Sequence, residues 1–418
     1  MCFGMLPKLR PLPRVTILHK ISLPPHAKSC TAYSLAYHAD ACNRFKSSIS
    51  SYLIPPLHHL PPRQRAMILR HLLPRSRSFS TLTTPTTTNL SPTRSLLHLH
   101  GPDAAKFLQG ITTSQLLTPP PTGAVYSGFL TAQGRVLFDT FIYPANSSGV
   151  WRASLSQNDD PQDPAFFIEA DAGEVLKLKA HLRRYKLRSK IAIREVEAGE
   201  WSPWAAWNGT VAGELGGVDP RAPGFGARVL LPGGARPEGE EVGGGGYMLR
   251  RIMYGVPEGA KEIVPEAALP LESNMDLSQG VDFRKGCYVG QELTIRTRHT
   301  GVVRKRILPA ALYKAGEAPP GRLEYKGDAA QPGAGADICM VGGRRGRPVG
   351  KWLDGLGNVG FALCRLEVMA RVVLESGVKG EGEKAEVGEM GEFRVGGEGE
   401  GGIRVKAFLP EWMGLQVR

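Results

Sequence analysis

The residues with the clearest capacity for chemistry lie together in Val281-Asp282-Phe283-Arg284-Lys285-Gly286-Cys287-Tyr288-Val289-Gly290-Gln291-Glu292. Two cations precede Cys287, and Gly286 and Gly290 flank it. Nearby positive charge lowers the pKa of a thiol, and the thiolate is both the nucleophile and the metal ligand. Glycines let the backbone bend and let a large ligand come close to it. A cysteine packed in an ordinary turn is the plainer alternative. Around the thiol, Lys285 can pair with an anionic ligand or tune the neighbouring sulfur. Tyr288 can stack, hydrogen-bond or simply pack. Gln291 and Glu292 can orient the loop through its backbone. The next segment, Leu293-Thr294-Ile295, reads as a strand that turns Arg296 and Arg298 toward an anionic ligand or toward solvent.

These residues need a scaffold, and the chain around them reads as α+β. A Thr/Pro-rich linker, Thr81 to Thr93, leads into a strand at Ser95–His100. Gly101-Pro102-Asp103 opens a helix that Gly110 is placed to end. Gly128–Ala132 and Arg135–Tyr143, joined by Gln133-Gly134, read as a β-hairpin. A polar insertion around Asn158–Pro161, a helix over 172–185 and a strand over 190–194 follow. Trp201, Trp204 and Trp207 read as packing residues, and Gly213 to Gly246 reads as mostly loop. In the last third, Val349–Trp352, a Gly357-Asn358 turn, Val359–Val368 and Ile403–Leu409 suit a small antiparallel barrel. The run Arg344-Arg345-Gly346-Arg347 reads as an exposed loop. Leu374 to Gly402 holds ten Gly and eight Glu among 29 residues, too little apolar surface to order itself, and reads as a disordered insertion.

Charge is distributed unevenly. The 418-residue chain carries a formal +13, of which +12 belongs to residues 1–102, where Asp40 is the single acid. The remainder, at +1, lacks the basic excess of a phosphate-backbone binder. Residues 1–79 have the composition of a mitochondrial presequence. Within them Met67, Leu69, Leu72 and Leu73 lie near one side of a helix, and Arg77-Ser78-Phe79-Ser80 resembles a processing site. No run of about 18–20 apolar residues would span a membrane. Beyond residue 79 the cysteines are Cys287, Cys339 and Cys364, and none forms a CxxC pair. Cys339 and Cys364 sit in apolar, strand-like contexts.

The segment Lys285-Gly286-Cys287-Tyr288-Val289-Gly290-Gln291-Glu292 meets all seven specified positions of a Lys-Gly-Cys-Tyr-x-Gly-Gln-Glu motif. On it, the chain resembles the aminomethyltransferase-like, folate-binding family, and within it the branch of mitochondrial iron–sulfur cluster assembly factors. The resemblance runs from about Leu96 to Glu367. It includes Phe107-Leu108-Gln109-Gly110-Ile111-Thr112, Leu182–Arg188 and Gly255-Val256-Pro257-Glu258-Gly259. It implies an aminomethyltransferase-like fold around a folate-sized cavity, with mixed α/β N-terminal domains over 95–300 and a C-terminal β-barrel over 301–418. It also implies a matrix protein that matures 4Fe–4S proteins, such as aconitase-like and lipoate-synthesis enzymes, beside an A-type scaffold. Tetrahydrofolate is an implied ligand, near Lys285, Gly286, Tyr288, Gly290, Gln291, Glu292 and Arg296. A cluster takes about four thiolates, so one held at Cys287 would be shared with a partner.

The transferase branch of the family has an Asp-Asp pair where this chain has Phe138-Asp139. Loss of the first carboxylate speaks against classical aminomethyl transfer, and Asp139 is left either steering a ligand or serving as an ordinary strand acid. The readings in competition are therefore a non-enzymatic assembly factor, a folate-dependent C1 transferase and an RNA-binding module. The full motif around Cys287 favours the first.

Overall fold

Alternating side chains in strands sort apolar from polar residues between two faces, and this chain builds two such sheets and a barrel. The computed structural model describes residues 85–155, 160–209, 213, 215–327, 329–342, 348–372, 391–396 and 402–416. The presequence, the Arg344–Arg347 run and most of the Gly/Glu-rich stretch lie outside the described residues.

The first sheet joins β2 (Arg94–His100), β3 (Val125–Leu130), β4 (Val136–Pro144), β5 (Ala165–Asp171) and β6 (Ala192–Glu195) in the order β3-β4-β5-β2-β6. Helices α1 (Ala104–Ile111) and α3 (Val175–Lys186) cover one face, where Leu97, Leu99, Phe129, Phe138 and Ile168 pack against Leu108, Leu178 and Leu182. A short α2 (Gly149–Ala153) lies between β4 and β5. The hairpin, both long helices and β6 appear where the sequence places them. Gly110 does not end α1, however. The helix closes at Thr112, whose hydroxyl donates to the Leu108 carbonyl at 2.8 Å.

The second sheet corrects one expectation. Its order is β10-β1-β7-β9-β8, with β1 at Thr86–Asn89, β7 at Trp201–Trp207, β8 at Leu215–Val218, β9 at Ala227–Pro232 and β10 at Glu240–Glu241. The segment read as a linker over 80–94 thus contributes a paired strand. Its β-branched threonines suit a half-buried pleat, and Thr87 and Thr88 are buried. Gly213 to Gly246 is mostly loop, as read, but it contributes β8, β9 and β10 and opens helix α4 (Gly244–Tyr254). Its glycines serve close strand pairing. At Gly216, φ is 141°, and a Cβ would stand 2.3 Å from the Arg228 carbonyl. The three tryptophans of β7 are buried, as packing residues should be.

The barrel closes in the order β11-β14-β13-β12-β15-β16, with every pairing antiparallel. Its strands are β11 (Lys305–Lys314), β12 (Asp337–Met340), β13 (Gly350–Leu356), β14 (Val359–Arg365), β15 (Phe393–Val395) and β16 (Ile403–Ala407). A one-turn helix, α6 (Leu366–Met369), ends the run read as a strand to Val368. β15 falls inside the stretch read as a disordered insertion. Phe393 and Val395 point into the barrel core, which supplies the burial the surrounding Gly/Glu residues cannot.

Candidate functional site

The motif loop is braced from beneath and open above. Going along it, Arg284 is exposed, Lys285 buried, Gly286 and Cys287 exposed, and Tyr288 buried again. Asp282 donates its backbone N–H to Thr113 O at 2.9 Å, and Val289 donates to Gly110 O at 3.1 Å. Between them the Lys285 ammonium donates to the carbonyls of Gln109, Thr112 and Ser114 at 2.7, 2.5 and 3.0 Å. These are the orphaned acceptors at and beyond the end of α1, where a cation also suits the helix dipole. Burial pushes the Lys285 pKa down to about 8, while its carbonyl partners favour the charged form. The ring of Tyr288 lies 4.8 Å from the ammonium, and burial raises its hydroxyl to about 12. The geometry gives Lys285 a role that its residue type did not suggest, bracing the loop against the end of α1.

Downstream of the thiol, the chain departs from expectation. Gln291–Thr300 is helix α5, not a strand, although Thr294, Ile295 and Thr297 favour the pleat. Gly290 decides this. It adopts φ 79° at the helix N-cap and sits so close to the β3–β4 turn that a Cβ would lie 2.2 Å from Thr131 O. The Gln291 side chain accepts from the Tyr288 N–H at 3.2 Å, and exposed Glu292 occupies the first turn, where an acid is favoured. Arg296 and Arg298 are exposed on the same helix, and Arg298 stacks 5.1 Å over Phe283. Gly286 differs from Gly290, because a Cβ added there meets nothing within 4 Å. We therefore expect Gly286→Ala to leave the unfolding midpoint unchanged and Gly290→Ala to cost at least about 1–2 kcal/mol of strain. Equal denaturation curves for the two variants would refute this division.

Asp139 belongs to a different place. Phe138 turns to the helical face against Phe129 and His181, so Asp139 points to the opposite side, between the two sheets. There it pairs with Arg94 at 3.3 Å and accepts from the Gly259 N–H at 3.2 Å. Arg94 also donates to Glu169 at 2.8 Å. Arg228 donates to Glu169 at 2.6 Å and to Glu258 at 2.9 Å, and Arg221 donates to Glu258 at 2.7 Å and to Asp219 at 2.8 Å. All these side chains are buried. Burial alone would raise Glu258, yet Arg228, Arg221 and Arg94 hold it well below 4.5. The sequence carried a signal for this network that went unread, namely single charges inside apolar strands: Glu169 in Phe166-Phe167-Ile168-Glu169-Ala170 and Arg228 in Ala227-Arg228-Val229-Leu230. Protein carbonyls take all three N–H donors of Lys285, which leaves it none for a tetrahydrofolate, and Asp139 is buried against Arg94.

Among the described cysteines Cys287 is exposed, Cys339 half-buried and Cys364 buried, with burial raising the Cys364 thiol. Among the described residues no three His, Cys, Asp or Glu side chains gather as a metal site. Nor is any described helix long and apolar enough to cross a membrane.

Residues 304–415 match the family described as CAF17, C-terminal beta-barrel domain. The chain is similar in fold to the glycine cleavage system aminomethyltransferase T of Bartonella henselae, with TM-score 0.51 and 15% identity over 79% of this chain and 87% of that one. A protein of Pyricularia oryzae named iron-sulfur cluster assembly factor IBA57 homolog, mitochondrial, is 45% identical over 344 residues, covering 77% of this chain and 83% of its own. One of the same name from Aspergillus clavatus is 42% identical over 365 residues, covering 77% and 80%. Identity of that level over that much of the chain, together with the fold and the barrel, places this protein in the family of mitochondrial IBA57-type iron–sulfur cluster assembly factors.

Proposed function

We propose that the protein is a mitochondrial iron–sulfur cluster assembly factor in which Cys287 supplies one thiolate to a cluster shared with an A-type scaffold protein. The observation that carries this is the exposed thiol on a loop braced at Asp282, Lys285 and Val289. A ligand that must meet a partner's iron has to be open to solvent and fixed in position. When iron binds, the Sγ–H proton leaves to solvent, and when the cluster passes to a 4Fe–4S client the thiol takes a proton back. No electron changes hands in this exchange. The remaining thiolates come from the partner, because a cluster takes about four and this site offers one. Among the described residues, a Cβ at Gly286 would meet nothing within 4 Å, so the position next to the thiol is open. Arg94 occupies the Asp139 carboxylate that the transferase reading would need.

The test mixes the mature chain anaerobically with cluster-loaded A-type scaffold and compares wild type with Cys287→Ser. Cluster absorbance should co-elute with the wild-type complex and be lost from the variant. Equal retention would remove Cys287 as a ligand. In cells, deletion should depress aconitase, with restoration by wild type alone; normal aconitase after deletion would turn the reading toward folate chemistry.

A further inference from the structure

The near-neutral body conceals one strongly basic strip. Residues 177–190, covering most of α3 and the turn after it, hold seven Lys or Arg and no acid. Lys177 and Lys179 are paired, with Glu174 and Glu195. The side chains of Arg183, Arg184, Arg188 and Lys190 are exposed and form no ion pair among the described residues. Between them stands Leu187, 87% exposed, with φ 44° and ψ −112°. A leucine in that conformation is strained, and in this position it recovers nothing by burial. An unreturned cost of this kind, set among unpaired cations, points to a bound partner.

Helix α1 relates this strip to the thiol. Lys190 donates its N–H to Asp103 at the start of α1, at 2.7 Å, and Val289 is bonded to Gly110 in its last turn. Seven residues of helix separate those anchors by roughly 10 Å. A standard interface of about 800 Å² per partner is roughly 30 Å across, wide enough to reach from one anchor to the other.

We propose that the basic end of α3, with Leu187 at its tip, is the docking surface for the protein that shares the cluster, and that this partner presents an acidic rim around an apolar recess. The inference rests on the shared-cluster reading. Its charges steer and orient the encounter, and Leu187 anchors it.

The test measures affinity for cluster-loaded A-type scaffold at low and high salt, and for poly(U), using wild type, Arg183→Glu/Arg184→Glu/Arg188→Glu, Leu187→Gly and Cys287→Ser. The triple variant should bind the scaffold at least about tenfold more weakly and lose most of the salt dependence. Leu187→Gly should also weaken binding, with the salt dependence kept and the thermal midpoint no lower, since glycine accepts that backbone freely. Cys287→Ser should still dock while losing cluster absorbance. Unchanged scaffold affinity in both α3 variants would overturn the docking surface, and loss of absorbance in Cys287→Ser would then leave the ligand assignment standing. Weakened docking in the α3 variants with full absorbance in Cys287→Ser would uphold the surface and sink the ligand. Poly(U) binding that disappears in the triple variant, with scaffold affinity intact, would make the strip an RNA surface and overturn the proposal.

Discussion

Arg228→Met is expected to lower folding stability by about 3–5 kcal/mol, the cost of stripping the partner from buried charges. Arg228 is fully buried and donates to Glu169, Glu258 and the Tyr247 hydroxyl, and it lies 4.6 Å over the Phe141 ring. Methionine preserves the stem and the apolar contact but leaves two carboxylates with fewer cations. The bridge also ties β9 of the second sheet to β5 of the first, so its loss loosens the packing of one sheet on the other. Urea unfolding followed by tryptophan fluorescence measures the change, and a loss under about 1 kcal/mol would mean the network relaxes around the gap.

The same network sets the acid response. Glu258 is held well below 4.5 and Glu169 below it, so in the folded state both bind fewer protons than in the unfolded chain. Their contribution is complete above the ordinary carboxylate value and is lost as pH falls below it. Glu262, raised by its burial beside Arg251, works in the opposite direction. Wild-type stability should therefore fall as pH drops below 4.5, whereas Arg228→Met, whose carboxylates are less depressed, should start lower and lose less to acid, as urea unfolding at neutral and acid pH measures.

Lys285→Met should act on the functional loop directly. It removes the donor shared by the carbonyls of Gln109, Thr112 and Ser114, at about 1–3 kcal/mol for buried acceptors left unpaired. The larger effect falls on position. Hydrogen exchange at the Asp282 and Val289 amides, which bond to Thr113 O and Gly110 O, should accelerate, and cluster retention at Cys287 should drop although the thiol is intact. Lys285→Arg should not rescue it, because a planar fork cannot reach three converging carbonyls as an ammonium does. Unchanged amide exchange in Lys285→Met would show that the loop is held by its backbone alone.

Much of the architecture was legible because it depends on local pattern. The strand at Ser95–His100 and the hairpin at Gln133-Gly134 follow from short apolar runs and a turn pair, as do the barrel strands. What was not legible depends on contacts distant in sequence. Nothing local distinguishes Thr86–Asn89 from a linker until Trp204–Trp207 pairs with it. Leu293–Thr297 has the composition of a strand, and Gly290 wedged against Thr131 makes it a helix. For the site, the thiol and its flanking glycines could be picked out from residue types, whereas the exposure of Cys287 could not. The inward turn of Lys285 was not, because its acceptors lie more than 170 residues away.

The placement of β1 has a consequence for how the protein is made. Pairing begins at Thr86, at the start of the described residues. A chain imported amino end first delivers Thr86–Asn89 well before the strands on either side of it, Trp201–Trp207 and Glu240–Glu241. Until both have cleared the channel, that segment is an open ladder of backbone donors and acceptors, the kind of edge that invites aggregation. The first strand to arrive waits for partners far down the chain, and in the interval its protection falls to whatever receives the chain on the far side.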